Sequence, residues 1–199
     1  MTLDRLRPVA DRALGPFVAA AERVGLTPDG VSVVAACCAL GAAVVFARGP
    51  SVAYLGAAAL VFANGWLDLV DGALARATDA ASDGGDLLDH VLDRYADVAL
   101  IVGMAVGVGR PALGLAAVTG VLLTSYMGTQ IQAVGLGREY GGVMGRADRL
   151  ALVGVAGAGT ALYARPLGPF SLLGWALVVL AVVGHLTALQ RFAGAWRDL

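Results

Sequence analysis

The chain has 199 residues, of which 58% are hydrophobic and 15% charged, with a mean hydropathy of +0.76. A soluble domain carries roughly a quarter charged residues, so this composition argues against a water-soluble globule and for lipid as the solvent. The net charge of −1 argues against a nucleic-acid partner, and all fourteen cations are Arg.

Residues 2–25 place Leu3, Leu6, Val9, Ala13, Phe17 and Ala20 at helical spacing, with Asp4, Arg5, Arg7, Asp11, Arg12 and Arg23 between them. This pattern predicts an amphipathic helix lying on a membrane surface. Charges run through it, so no cleavable signal peptide is expected. Leu26-Thr27-Pro28-Asp29 then breaks the chain and suits a helix start.

Crossing a bilayer takes roughly 20 mostly apolar residues. Six such stretches follow, at 31–47, 52–74, 87–109, 111–134, 148–164 and 168–190. The expected fold is an all-α integral membrane protein: a six-helix transmembrane bundle over 31–190, preceded by the surface helix, in a single domain spanning 1–199. Cys37 and Cys38 lie side by side in the first stretch and read as small core hydrophobes. Six spans put both termini on one side. That side holds Arg5, Arg7, Arg12, Arg23, Arg76, Arg138, Arg146, Arg149, Arg191 and Arg197, against Arg48, Arg110 and Arg165 on the other. The bias predicts cytoplasmic termini. Arg94 lies inside the third span and is left out of that comparison.

The unusual feature is acidic. Asp68 and Asp71 end the second span three residues apart, so they share a helix face. Asp89 and Asp93, four apart, share a face at the start of the third span, and Asp86 and Asp97 extend that stripe. Carboxylates at such depth are costly unless paired, hydrated or metal-bound, and four together repel. One divalent cation, or two, relieves both problems. Oxygen ligands suit Mg²⁺ or Mn²⁺. His90 neighbours Asp89 but projects from another face. Plain helix-end carboxylates facing water would account for Asp79 and Asp83, but poorly for Asp89, Asp93 and Asp97 inside an apolar helix. Gly72 and Gly85 lie beside these acids, where a missing side chain admits a bulky ligand. Arg76, one turn beyond Asp71, is placed to grip a phosphate, although positive-inside topology alone would also put an Arg there.

Residues 68–93 read Asp68-x2-Asp71-Gly72-x2-Ala75-Arg76-x8-Gly85-x3-Asp89-x3-Asp93. This string resembles the signature of the CDP-alcohol phosphotransferases, and the surface helix, six spans and Leu26-Thr27-Pro28-Asp29 resemble that family across the whole chain. The resemblance implies metal-dependent transfer of a phosphatidyl- or archaetidyl-type group from a CDP-linked lipid to an alcohol, with release of CMP. It implies that Asp68, Asp71 and Asp89 ligate metal, and that Asp93 is the general base and also touches metal. It further implies that Asp68, Gly72, Ala75, Arg76, Ser82 and Gly85 line the CDP site, and that the protein is a homodimer in the cytoplasmic membrane.

Ser125-Tyr126 and Gly145-Arg146-Ala147-Asp148-Arg149 are similar to the phosphatidylinositol-phosphate synthase branch. Where that branch often has two Arg and a Glu, this chain has Gly128, Gln130 and Gln132. Arg146, Arg149, Ser125 and Gln130 are therefore the expected acceptor contacts. The expected acceptor is a phosphorylated polyol, inositol phosphate or glycerol phosphate, with serine the alternative. An ion-coupled transporter would instead spread its acids through several helices.

Overall fold

The computed structural model describes residues 7–137 and 142–199, with side chains from residue 13 onward. The expected contributions of Leu3, Asp4, Arg5, Leu6 and Arg138, and of the side chains of Arg7, Val9, Asp11 and Arg12, lie outside the described residues. Seven α-helices occur among the described residues: α1 Arg7–Arg23, α2 Pro28–Arg48, α3 Tyr54–Ala77, α4 Asp83–Gly107, α5 Pro111–Ala133, α6 Arg146–Leu162 and α7 Leu172–Asp198. One 3₁₀ turn, Ser51–Ala53, leads into α3.

Local chemistry fixes the boundaries that matter for function. Thr27 Oγ1 accepts from the Gly30 amide at 3.1 Å, with Pro28 at the first helical position, so α2 starts where the sequence break put it. Ser82 Oγ accepts from the Gly85 amide at 3.1 Å, so α4 begins at Asp83, four residues before the apolar run at 87. The Asp148 carboxylate accepts from the Gly145 amide at 3.0 Å and starts α6. Residues 163–171 form a turn closed by Leu167 and Phe170, so α7 begins at Leu172 rather than 168 and runs on to Asp198.

Among the described residues, four helical segments are long and apolar enough to cross a membrane: Pro28–Arg48, Ser51–Ala77, Pro111–Ala133 and Leu172–Asp198. The apolar pattern of the sequence predicts six. The two outside this set are α4, whose first half carries the acids, and α6, which has 17 residues. At 1.5 Å per residue α6 is about 25 Å long, a little short of the ~30 Å hydrocarbon layer.

α2 packs on α3 and α4, α5 on α7, and α3 on α6, with α4 against α5 and α6 against α7 closing the bundle. The main core gathers Phe46, Val61, Leu100, Met104, Val121, Leu173, Leu177 and Leu180, all nearly inaccessible. Close backbone approach makes the α5–α7 contact. A Cβ on Gly184 would stand 2.7 Å from the Gly120 carbonyl carbon, and Thr124 Oγ1 donates to Gly184 O at 2.7 Å. Small residues and interhelical hydroxyl bonds are the usual means of joining helices in lipid. Outside, Leu123, Val106, Val182 and Leu189 are exposed, as a lipid-facing surface requires. α1 is amphipathic in the structure too. Leu14 and Ala21 bury against Val31, Val70 and Leu74, and Phe17 meets Trp66 edge-on at 5.1 Å.

Candidate active site

The polar residues form two pockets on either side of α4, which supplies Asp86 and Asp89 to the first and Asp93 to the second. The first pocket is about 230 Å³ and opens between the start of α2, the end of α3 and the start of α4. Pro28, Asp29 and Ser32 come from α2, Asp71, Gly72, Ala75 and Arg76 from α3, and Ser82, Gly85 and Asp89 from the α4 entry. Two glycines keep its floor open. A Cβ on Gly85 would stand 3.2 Å from Asp29 Oδ1, and one on Gly72 would stand 3.4 Å from an Arg76 guanidinium nitrogen.

At the inner edge of this pocket Asp68, Asp71 and Asp89 converge, each offering a carboxylate oxygen, with those atoms within 4.8 Å of one another. They are the only such group of three potential ligands among the described residues. The donors are all oxygen, the set is anionic, and Ser32 Oγ fixes Asp71 by donating to its Oδ2 at 2.6 Å. An oriented, all-carboxylate set of this kind fits a hard divalent cation. Asp93 stands outside the trio. Asp68 does not line the first pocket. It faces inward, across a small space shared with Asn64, Asp89 and Asp93.

The second pocket, about 470 Å³, lies between α4, α5, α6 and α7. It is lined by Asp93 and by four guanidiniums, Arg94, Arg146, Arg149 and Arg191, with Ser125, Tyr126, Thr129 and His90 at its walls. Ion pairs hold these groups in place. Arg146 reaches Asp68 Oδ1 at 2.6 Å and Asp93 Oδ1 at 2.5 Å, linking the acidic trio to this pocket. Arg149 pairs with Asp97 at 3.0 Å. Arg94 lies 3.6 Å from Asp93 Oδ2 and 3.5 Å from Asp97 Oδ2, and donates to Ser125 Oγ. Arg191 donates to Thr124 O at 2.6 Å. Asp68, Asp93 and Asp97 pair with Arg94, Arg146 and Arg149, and Asp68 is shared with the trio. Cations buried in such a place favour an anionic ligand.

The structure thus brings Gly72, Ala75, Arg76, Ser82 and Gly85 to one pocket, and Ser125, Arg146 and Arg149 to the other, but it leaves Gln130 exposed and outside both. Tyr126 and Thr129 of α5 line the cavity instead. Arg94, Arg191, Asp97 and Ser32 were not singled out as site residues by the sequence reading. For Arg94 and Asp97 a signal existed: opposite charges three apart, inside an apolar helix.

Residues 25–186 match the family model for CDP-alcohol phosphatidyltransferase. The chain belongs to that family. This family member is 30% identical, over 99% of its own length and 95% of the relative's, to archaetidylinositol phosphate synthase of Methanothermobacter thermautotrophicus. It is 35% identical, over 88% of its length and 80% of the relative's, to phosphatidylinositol phosphate synthase of Mycolicibacterium smegmatis. Two solved structures superpose with a TM-score of 0.79 at 28% identity. One is Mycobacterium tuberculosis phosphatidylinositol phosphate synthase with CDP-DAG bound, with 93% of this chain and 94% of that chain covered. The other is the same enzyme in complex with manganese and citrate, with 92% and 88% covered. The CDP-alcohol phosphatidyltransferase described here is accordingly a multi-pass membrane enzyme of phospholipid synthesis. It is metal-dependent and transfers a lipid-linked phosphoryl group from a CDP-lipid to the hydroxyl of a small polar alcohol, releasing CMP.

Proposed function

We propose that the alcohol is a phosphorylated polyol, inositol phosphate before glycerol phosphate, and that it occupies the arginine-lined pocket while the CDP moiety of the donor occupies the pocket between α2, α3 and α4. One observation carries this reading: Asp89 and Asp93 project one helical turn apart on α4, Asp89 into the first pocket and Asp93 into the second. A donor phosphorus and an acceptor hydroxyl can therefore meet across a single turn. Arginine is suited to bidentate phosphate recognition, which favours a phosphorylated acceptor over serine. The relatives named for inositol phosphate products support the same choice.

Within this proposal Asp68, Asp71 and Asp89 would hold Mg²⁺ or Mn²⁺, two ions per site, and Asp93 would also touch metal. When bound, the ions neutralise the diphosphate and the departing phosphate. Arg76 grips the diphosphate, while Gly72, Ala75, Ser82 and Gly85 admit the nucleotide. Arg146 orients Asp93 through the ion pair at 2.5 Å. Asp93 takes the proton of the acceptor hydroxyl as its oxygen bonds to the phosphorus next to the lipid. The phosphorus–oxygen bond to CMP breaks, and CMP leaves with the electron pair.

The same reading places α1 on the membrane surface and lets α4 and α6 cross with the four apolar helices, giving six crossings in one domain over 1–199. Both termini and the active site face the cytoplasm, in the cytoplasmic membrane. The protein works as a homodimer.

The test is CMP release by purified protein given a CDP-lipid and either inositol phosphate, glycerol phosphate, inositol or serine. The proposal expects turnover with a phosphorylated polyol. Preference for serine or free inositol would reject it.

A further inference from the structure

Asp97 belongs to neither pocket wall, yet it touches two residues that do. It is 5% exposed, in the interior of α4, one turn beyond Asp93. Its Oδ2 stands 3.0 Å from Arg149 Nη2 and 3.5 Å from Arg94 Nη2. Arg94 is held at two further points, by Asp93 at 3.6 Å and by donation to Ser125 Oγ. A single carboxylate oxygen thus sits between two guanidiniums, one from α4 and one from α6, and both line the arginine pocket.

Asp68, Asp93 and Asp97 hold Arg94, Arg146 and Arg149 in one ion-pair network, and Asp97 is the member that reaches both Arg94 and Arg149. Arginine side chains are long and lose much rotamer freedom when fixed. An anchor that immobilises them before the ligand arrives removes that cost from binding. A carboxylate also occupies only one edge of each guanidinium, leaving other donors of the planar group for a second anion.

We propose that Asp97 is a positioning residue that sets acceptor specificity. It holds Arg94 and Arg149 by one edge each, so that their remaining donors converge on the phosphate of the acceptor. The proposal rests on the reading of the arginine pocket as the acceptor site. A merely structural Asp97, present to neutralise two buried cations, would affect folding or all steps alike.

The two roles separate in substrate dependence. Asp97→Asn keeps the shape and removes the charge, and Asp97→Glu keeps the charge and displaces the arginines by one methylene. Full-length purified protein is assayed for apparent KM of inositol phosphate and of CDP-lipid, for inositol phosphate binding by calorimetry, and for Mn²⁺ affinity. Asp97→Asn is expected to raise the inositol phosphate KM and Kd about tenfold or more, the size of losing a charged hydrogen bond. Asp97→Glu is expected to fall between Asn and wild type. CDP-lipid KM should stay within about twofold in both, and Mn²⁺ affinity should fall less than acceptor affinity, since Arg94 meets Asp93 rather than the trio of Asp68, Asp71 and Asp89. Equal increases for both substrates, or an unchanged acceptor KM with less folded protein, overturn the proposal. If Asp97→Asn does not fold, Asp97→Glu decides alone, and an unchanged acceptor KM there overturns it. The wild type tests the pocket reading separately: an enzyme that binds no inositol phosphate and prefers unphosphorylated alcohols defeats that reading, and this proposal with it.

Discussion

The two pockets flanking α4 solve opposite electrostatic problems. On the acid-rich side, three carboxylate oxygens crowd within 4.8 Å, and the wall is thinned by Gly72 and Gly85. This surface needs cations and room. On the other side, Arg94, Arg146, Arg149 and Arg191 line a larger cavity, and the first three share Asp93 and Asp97 as counter-ions. This surface suits an anion. Arg146 joins the two by bonding Asp68 and Asp93 at once. Placed side by side, an acid-rich and an arginine-rich pocket are what the proposed division into donor and acceptor halves requires, with the reacting atoms at the boundary.

The largest break expected in this division comes at the boundary itself. Asp93→Asn removes the proposed proton acceptor and should lower turnover by about 10²–10⁴-fold. Extra Mg²⁺ or Mn²⁺ should not restore it. Asp→Asn at Asp68, Asp71 or Asp89 should instead be partly repaired by added metal. Turnover against metal concentration for the four variants checks this. Near-normal turnover in Asp93→Asn would make Asp89 the better base.

Next comes metal orientation. Ser32→Ala deletes the 2.6 Å bond to Asp71 and leaves the carboxylates in place. Loss of such an outer partner typically weakens metal binding about 10–100-fold. Mn²⁺ titration should show this, with inositol phosphate binding unchanged. A Ser32→Ala protein of wild-type Mn²⁺ affinity would remove Ser32 from the site. The smallest effect is expected at Gln130. Its side chain points away from the cavity, so Gln130→Ala should change acceptor KM by less than about twofold, the usual scale of exposed substitutions. A larger change would show that the acceptor extends past Thr129.

The two halves were unequally readable from the sequence, for a physical reason. The acid-rich half is compact in the chain. Asp68, Asp71, Gly72, Arg76, Gly85 and Asp89 fall within one helix–turn–helix, where spacing of three or four residues translates directly into a shared face. Only Ser32, from α2, had no local mark. The arginine half is assembled from α4, α5, α6 and α7, so its residues meet through packing rather than spacing. Arg146 and Arg149 share one turn and could be paired by eye, but Arg191 looked like a topology arginine at a helix end, and Arg94 like an interruption of a span. Gln130 was chosen by its position in the chain, and helix rotation turned it outward. The span pattern shows the same limit: six apolar stretches can be read in the sequence, but among the described residues only four helices are long and apolar enough to cross, and α4 and α6 carry polar residues to the pockets.

The most direct test of the two-pocket account is a crossed kinetic comparison of Arg76→Ala and Arg149→Ala. Arg76 lines only the acid-rich pocket of the two, and Arg149 only the arginine-rich one. The measurement is the apparent KM of each variant for CDP-lipid and for inositol phosphate. The account predicts that Arg76→Ala raises the CDP-lipid KM about tenfold or more, with Arg76→Lys rescuing only part because an ammonium lacks the planar fork. It predicts that Arg149→Ala raises the inositol phosphate KM at least as much, because it also strips a buried carboxylate of its partner. Each variant should leave the other substrate within about twofold. Parallel increases for both substrates in either variant, or the reverse assignment, would contradict the division of the site into donor and acceptor pockets.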